Sequence, residues 1–206
     1  MARYRGPKAK LCRRFGEDLF GSEKYAKVLS RKNYPPGMHG KNGMKNVGEY
    51  GKQLLMKQKI KIIYGILERQ FRKHYSEVKD KPGVTGDLLL SRLERRLDNV
   101  VYRLGFASTR PQARQLVSHG MFTVNDKKVT IPSMELKVDD VVGINPHKKE
   151  KTYFKNQEQY IKNNKRVVGW LSLDNKAMTG RVSALPKRED FDTNINPQIV
   201  IEYYAK

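Results

Sequence analysis

Gly105-Phe-Ala-Ser-Thr-Arg-Pro-Gln-Ala-Arg-Gln-Leu-Val-Ser-His-Gly120, followed by Phe122-Thr-Val-Asn-Asp-Lys-Lys-Val129, decides the reading of this chain. Ser108 or Thr109 can cap a helix whose first turn holds Pro111, where a missing N–H does no harm. Ala113, Leu116 and Val117 give that helix a buried side, and Gly120 ends it. Phe122 and Val124 then alternate with polar residues, Asn125-Asp126 is a turn signal, and Val129 and Ile131 carry the return strand. A short basic helix thus feeds into a tight basic hairpin. Arg110, Arg114 and Ser118, spaced four apart, share one helix face, which is expected to be exposed. Gln112, Gln115 and His119 add hydrogen-bonding groups, and Asn125, Lys127 and Lys128 extend the surface onto the hairpin. Arginine grips phosphate through two donors at once. A compact cationic face of this kind suits a phosphate-rich polymer held by shape and backbone rather than by base reading.

Composition points the same way. The 206 residues carry 42 basic against 21 acidic side chains, a formal charge of +21. Such a surplus repels itself in a compact state and is best tolerated beside a polyanion. Nucleic acid is the first candidate. A membrane is not expected as a partner, because no stretch approaches the roughly 20 apolar residues a spanning helix needs. The N-terminus lacks an apolar signal core, so export is not expected. A lone Cys12 can neither staple the fold nor build a cysteine zinc site, which fits a reducing, cytoplasmic setting.

Working outward, residues 1–45 read as a basic extension with little periodicity, marked as loop by Pro35-Pro36-Gly37, Gly40 and Gly43, that orders on RNA. Residues 46–78 read as helical, with an apolar stripe at Ile60, Tyr64, Leu67 and Phe71 and with Lys57, Lys61, Arg69, Arg72 and Lys73 between them. Asp80-Lys-Pro-Gly83 breaks the helix. A second helical pattern runs through Leu89, Leu93, Leu97, Val100, Val101 and Leu104 to Gly105. Val141–Ile144, Val167–Leu173 and Arg181–Leu185 read as further strands, Gln157–Asn164 as a short helix, and Gln198–Tyr204 as an apolar strand or docked tail. Helices first and then mainly strands predict an α+β fold. The expected organisation is a basic extension (1–45), a helical domain (46–92) joined by the C-terminal segment (186–206), and an α+β domain (93–185) holding an RNA-binding module (93–156).

Leu93-Glu-Arg-Arg-Leu-Asp-Asn-Val-Val-Tyr-Arg-Leu-Gly-Phe-Ala107, the Ser108–Gly120 stretch and Val124-Asn-Asp-Lys-Lys-Val-Thr-Ile-Pro132 resemble the RNA-binding module of the ribosomal S-four family. Met1–Lys8, Leu11–Arg14, Pro36–Gly40, Glu49–Leu54, Tyr64–Arg72 and Ile199–Tyr204 extend the resemblance over essentially the whole chain. It implies a helical domain and an α+β module, and a role as a monomeric structural component of the small ribosomal subunit. The implied partners are the 5′ domain of 16S rRNA, bound early in assembly, mRNA where it enters the subunit, and the S-five and S-three proteins; the S-five contact would influence decoding accuracy. Where some relatives hold a four-cysteine zinc site, Cys12 alone excludes it. Met121 replaces the second histidine of the usual His-Gly-His, and Asp126 replaces the usual glycine of the hairpin turn.

From the motif positions and charge together, the expected rRNA contacts are Arg3, Tyr4, Arg5, Lys8, Arg13, Arg14, Tyr50, Arg69, Arg72, Arg110, Gln112, Arg114, Ser118, His119, Lys127 and Lys128. Lys41 and Lys45 are the expected mRNA contacts. No cofactor, metal or catalytic residue is expected. Arg96-Leu97-Asp98 echoes the aspartate motif of pseudouridine synthases, but Asn99-Val100-Val101 continues an amphipathic helix, so Asp98 reads as a helix-surface ion pair. Gly37–Lys41 is not a P-loop, since Asn42 stands where Ser or Thr is required. His39, His74, His119 and His147 lack metal-ligand spacing or neighbouring carboxylates. The alternative is a standalone RNA-modifying or recycling factor with the same module, which would need a catalytic domain for which this chain has no room.

Overall fold

Glycine and turn chemistry set the element boundaries in a computed structural model that describes residues 4–42, 47–154, 168–174, 177–191 and 195–205. Eight α-helices of seven residues or more lie among the described residues: α1 Lys8–Phe15, α2 Glu23–Arg31, α3 Glu49–Tyr64, α4 Glu68–Ser76, α5 Thr85–Glu94, α6 Leu97–Arg103, α7 Arg110–Ser118 and α8 Pro197–Ala205. Five short strands follow α7: β1 Phe122–Val124, β2 Lys127–Val129, β3 Val141–Ile144, β4 Leu171–Asp174 and β5 Thr179–Val182. They form one antiparallel sheet in the order β2-β1-β3-β5-β4. The expected α+β class is what the chain adopts. Contacts divide it into two compact units, residues 1–86 with 194–206, and residues 87–193.

In the first unit, α3 and α4 replace the single helix expected over 46–78. Gly65 takes a left-handed conformation (φ 63°) and caps α3, a geometry glycine reaches without the Cβ penalty. The turn lifts Leu67 out of the expected stripe to 40% exposure, while Ile60, Tyr64 and Phe71 stay buried. The C-terminal segment is a helix, not a strand. α8 lies along α3, Val200 is buried, and Tyr204 stacks on Phe71 and Tyr75. The docked-tail reading fits; the strand reading followed the β-branched run Ile199-Val200-Ile201, whose propensity packing overrides. Within the expected extension, α1 and α2 form around buried Cys12 and Leu19, so this part has more secondary structure than its composition suggested.

The second unit has one core. Leu97, Val100, Val101 and Leu104 of α6 and Ala113, Leu116 and Val117 of α7 meet Phe122, Val124, Val142, Ile144, Leu171 and Val182 from the sheet, with Phe106, Phe154 and Trp170 filling between them. The helix expected to run unbroken to Gly105 is two helices. After the turn at Arg95 the backbone extends at Arg96 (φ −65°, ψ 137°), Arg96 bridges Glu135, and Leu97 donates its N–H to Met134 O while Leu136 donates to Arg95 O. The leucine spacing continues across the break, which is why periodicity cannot reveal it. The hairpin turn is as expected, with Asn125 and Asp126 both at positive φ (48° and 62°), the type I′ geometry. β2 ends at Val129, and Ile131 is exposed rather than part of the strand. Of the two late strands, β4 covers 171–174 and β5 covers 179–182, so residues 183–185 of the expected fifth strand fall outside the observed one. The expected helix Gln157–Asn164 lies outside the described residues. Among the described residues no helix is long and apolar enough to cross a membrane.

Candidate nucleic-acid interface

In the second unit, α7 begins at a Thr109 cap whose hydroxyl accepts from Gln112 N (3.4 Å). The Gln112 carboxamide oxygen turns back to accept from Ser108 N (3.0 Å) and Ser108 Oγ (2.6 Å), closing the loop before the helix. Ser118 Oγ donates to Arg114 O, and His119 at the helix end is exposed. Gly120 follows in a left-handed conformation (φ 65°), and the Lys128 side chain passes directly over its Cα, where any Cβ would meet Lys128 Cε. Hairpin and helix end are therefore adjacent, with Lys127 and Lys128 exposed beside His119. Asn145 Nδ2 donates to Gly120 O (3.1 Å) and fixes this corner.

Arg114 departs from expectation. It is not on an exposed face: it is 8% exposed, and its Nη1 donates to Asp98 Oδ2 (2.8 Å). Asp98 is likewise buried (5%) rather than on a helix surface, and also accepts from Arg96 Nε (3.2 Å) and Nη2 (2.9 Å). Two guanidinium groups thus enclose one carboxylate between α6 and α7. Burial of a charge demands this kind of partnering. Arg110 sits one helix turn away. Its guanidinium covers the Tyr102 ring (4.7 Å) and its Nε donates to Asn99 Oδ1 (2.7 Å). The Arg96-Asp98-Arg114 cluster and the neighbouring Glu94-Asn99-Arg103 group were not read as a network from sequence. The available signal was the density of charge, Glu94-Arg-Arg-Leu-Asp98, on an otherwise apolar helical stretch.

The other expected contacts lie in the first unit. Tyr4, Arg5 and Arg14 are exposed, and Lys8 lies over the Phe20 ring. Arg13 is held inward, stacked on Tyr34 (4.6 Å) and donating to Tyr34 O and Pro35 O. Lys41, Arg69 and Arg72 are exposed. Tyr50 is exposed and pairs with Tyr203. Arg3 and Lys45 lie outside the described residues. Lys57 and Lys61 face inward to Glu68, which accepts from Lys57 (3.1 Å), Lys61 (2.6 Å) and Tyr204 Oη (2.7 Å). Partial burial would raise the Glu68 carboxyl, but these three donors outweigh it and bring it down to about 2. Burial, and then the hydrogen bond it donates to Glu68, push the Tyr204 phenol well above its usual range. His74 does have a carboxylate nearby, contrary to the sequence reading: Glu77, one turn on, lies within 4.8 Å.

An antiparallel sheet preceded by helices and bearing a basic helix–hairpin corner defines a class of module, and the chain matches it by family. Residues 95–142 match the S4 domain and residues 3–94 match the ribosomal protein S4/S9 N-terminal domain. The chain is 47% identical over 208 residues to small ribosomal subunit protein uS4 of Chloroflexus aurantiacus (strain ATCC 29366 / DSM 635 / J-10-fl), 49% over 210 to that of Pelobacter propionicus and 50% over 206 to that of Amoebophilus asiaticus, each alignment covering 100% of both chains. The chain belongs to the uS4 family of small ribosomal subunit proteins. This is a family of structural proteins, not enzymes, so the alternative of an RNA-modifying factor falls away.

Proposed function

We propose that this protein is a non-catalytic component of the small ribosomal subunit that binds 16S rRNA in its 5′ domain. The observation that carries the reading is the full-length similarity to small ribosomal subunit proteins across both matched domains, together with the cationic corner of α7 and the β1–β2 hairpin. Lysine and arginine would displace condensed counterions along the phosphates, while exposed Tyr4 and Tyr50 offer stacking faces. The proposed contacts in the second unit are Arg110, Gln112, Ser118, His119, Lys127 and Lys128, and in the first Arg3, Tyr4, Arg5, Lys8, Arg13, Arg14, Tyr50, Arg69 and Arg72. Arg114 is proposed to support this surface from behind. Lys41 and Lys45 would meet mRNA as it enters the subunit, the S-five and S-three proteins would be neighbours, and the setting would be the bacterial cytoplasm.

The test is binding of the purified protein to the 16S 5′ domain, against random duplex RNA of equal length, at near-cellular ionic strength. A preference for the 5′ domain, with a log–log salt dependence falling by about 0.7 to 0.9 per phosphate contact, is expected. Equal affinity for both RNAs overturns the proposal.

A further inference from the structure

Between the buried core of the second unit and the start of α7 runs a chain of side chains that ends on Arg110. Arg103 clasps the Glu94 carboxylate through Nε (3.0 Å) and Nη2 (2.7 Å). Glu94 is fully buried, and its Oε2 accepts from Asn99 Nδ2 (2.6 Å), which also donates to Glu94 O (3.0 Å). A carboxamide with its NH2 held by two acceptors must turn its oxygen the other way. That oxygen faces Arg110 and accepts its Nε–H at 2.7 Å, while the Tyr102 ring supports the flat face of the same guanidinium. Were the amide reversed, its NH2 would point at the guanidinium and its oxygen at the Glu94 acceptors, with all three hydrogen bonds lost. The buried charge of Glu94 therefore selects one amide orientation, and that orientation selects one position for Arg110.

We propose that Asn99, oriented by Glu94, is a positioning residue for Arg110, so that the contribution of Arg110 to RNA binding depends on the Asn99 carboxamide. The inference rests on the RNA-binding reading above. Its physical basis is preorganisation. A free arginine side chain gives up rotamer freedom when it is fixed. An arginine already held at its edge and its face meets that cost before RNA arrives. Asn99 itself is 2% exposed and acts only through its neighbour.

A double-mutant cycle on affinity for the 16S 5′ domain tests this. Arg110→Ala is expected to weaken binding about tenfold, the loss of one charge-assisted contact. Asn99→Ala, with Arg110 intact, is expected to weaken it about three- to tenfold. In an Arg110→Ala background, where no guanidinium remains to be held, Asn99→Ala is expected to cost nothing further. A purely structural role for Asn99 would lower affinity by the same factor in every background, and that result overturns the inference. If Arg110→Ala leaves affinity unchanged while the wild type still prefers the 16S 5′ domain, the RNA reading survives and this inference fails. If the wild type shows no preference, the functional reading itself fails. Should Asn99→Ala not fold, 15N relaxation of the Arg110 Nε–H in the free wild-type protein decides: an order parameter near that of rigid backbone supports the proposal, and a freely mobile group overturns it.

Discussion

Replacing Asp98 by alanine would leave two arginines buried without their carboxylate. Arg96 is 1% exposed and Arg114 8%, and Asp98 accepts from three of their nitrogens. Among the described residues Arg96 Nη1 has no hydrogen-bond partner even in the intact protein. Removing one member of a buried ion pair costs roughly 3–5 kcal/mol, chiefly because the charges left behind remain desolvated. For a domain of about 100 residues each kcal/mol lowers the midpoint by about 4–8 °C, so Asp98→Ala should lower that of the second unit by well over 10 °C. The single tryptophan, Trp170, is 2% exposed in that unit's core, and its fluorescence during urea unfolding reports on the unit selectively. Asp98→Asn keeps one oxygen acceptor and should lose less. Replacing Arg96, Asp98 and Arg114 together by Met, Leu and Met should cost far less than Asp98→Ala, since no charge is then stranded. A loss below about 1 kcal/mol for Asp98→Ala, or a triple variant as unstable as the single one, would refute the reasoning. The burial of Arg114 also bears on RNA: with Arg114 internal, the salt slope lost in an Arg110→Ala, Arg114→Ala protein should match one phosphate contact, about 0.9, rather than two.

The Glu68 carboxyl lies near 2 when folded, against an ordinary value of 4.5. Its pairing with Lys57, Lys61 and Tyr204 thus stabilises the first unit fully above about pH 4.5 and is lost as pH falls from there toward 2. Wild type should therefore exceed Glu68→Gln in thermal midpoint at pH 7, with the gap narrowing through that window; a constant gap contradicts the assignment. Gly180→Ala would drive a methyl group into fully buried Leu104, and overpacking of this kind should cost about 1–3 kcal/mol in urea unfolding followed by Trp170. Asp126→Gly relieves a left-handed backbone (φ 62°) at the hairpin turn and should raise the midpoint of the second unit by the equivalent of about 0.5–1 kcal/mol, measured by the same unfolding curve.

What the sequence made legible was local. The Thr109 cap, Pro111, the Asn125-Asp126 turn, the alternation in β1 and the short Val141-Val142-Gly-Ile144 run of β3 each depend on a few neighbouring residues, and α7, the hairpin and β3 fall where those signals put them. The helix breaks at Gly65 and Arg95-Arg96 were hidden for different reasons. Gly65 sits inside a run whose apolar spacing continues on both sides, and glycine is tolerated within helices at a cost of about 1 kcal/mol. The helix breaks at Arg95-Arg96 only because Glu135 and Leu136, some forty residues on, supply bridge partners. The burial of Arg114 was invisible for the same reason: its face is polar by composition, and only the α6–α7 packing brings Asp98 against it. The hairpin half of the candidate surface was readable, whereas the side chains that hold Arg110 in place were not.

Internal pairing also changes what the charge surplus means. Lys57 and Lys61 face Glu68, Lys59 faces Glu17, Arg92 faces Glu135, Arg103 faces Glu94, and Arg96 and Arg114 share Asp98. These partnerships take acids away from the surface as well as bases, and the net +21 is untouched by them. The outward face is consequently more one-sidedly cationic than the ratio of 42 basic to 21 acidic residues suggests. Long-range attraction of a polyanion follows net charge, which pairing cannot reduce, whereas the grip at contact follows how firmly each cation is placed. Neutralising exposed Lys127 and Lys128 should therefore slow association with RNA, while disturbing Asn99 or Glu94 should act on dissociation. On this reading the two kinds of basic residue would divide the work of binding between approach and hold.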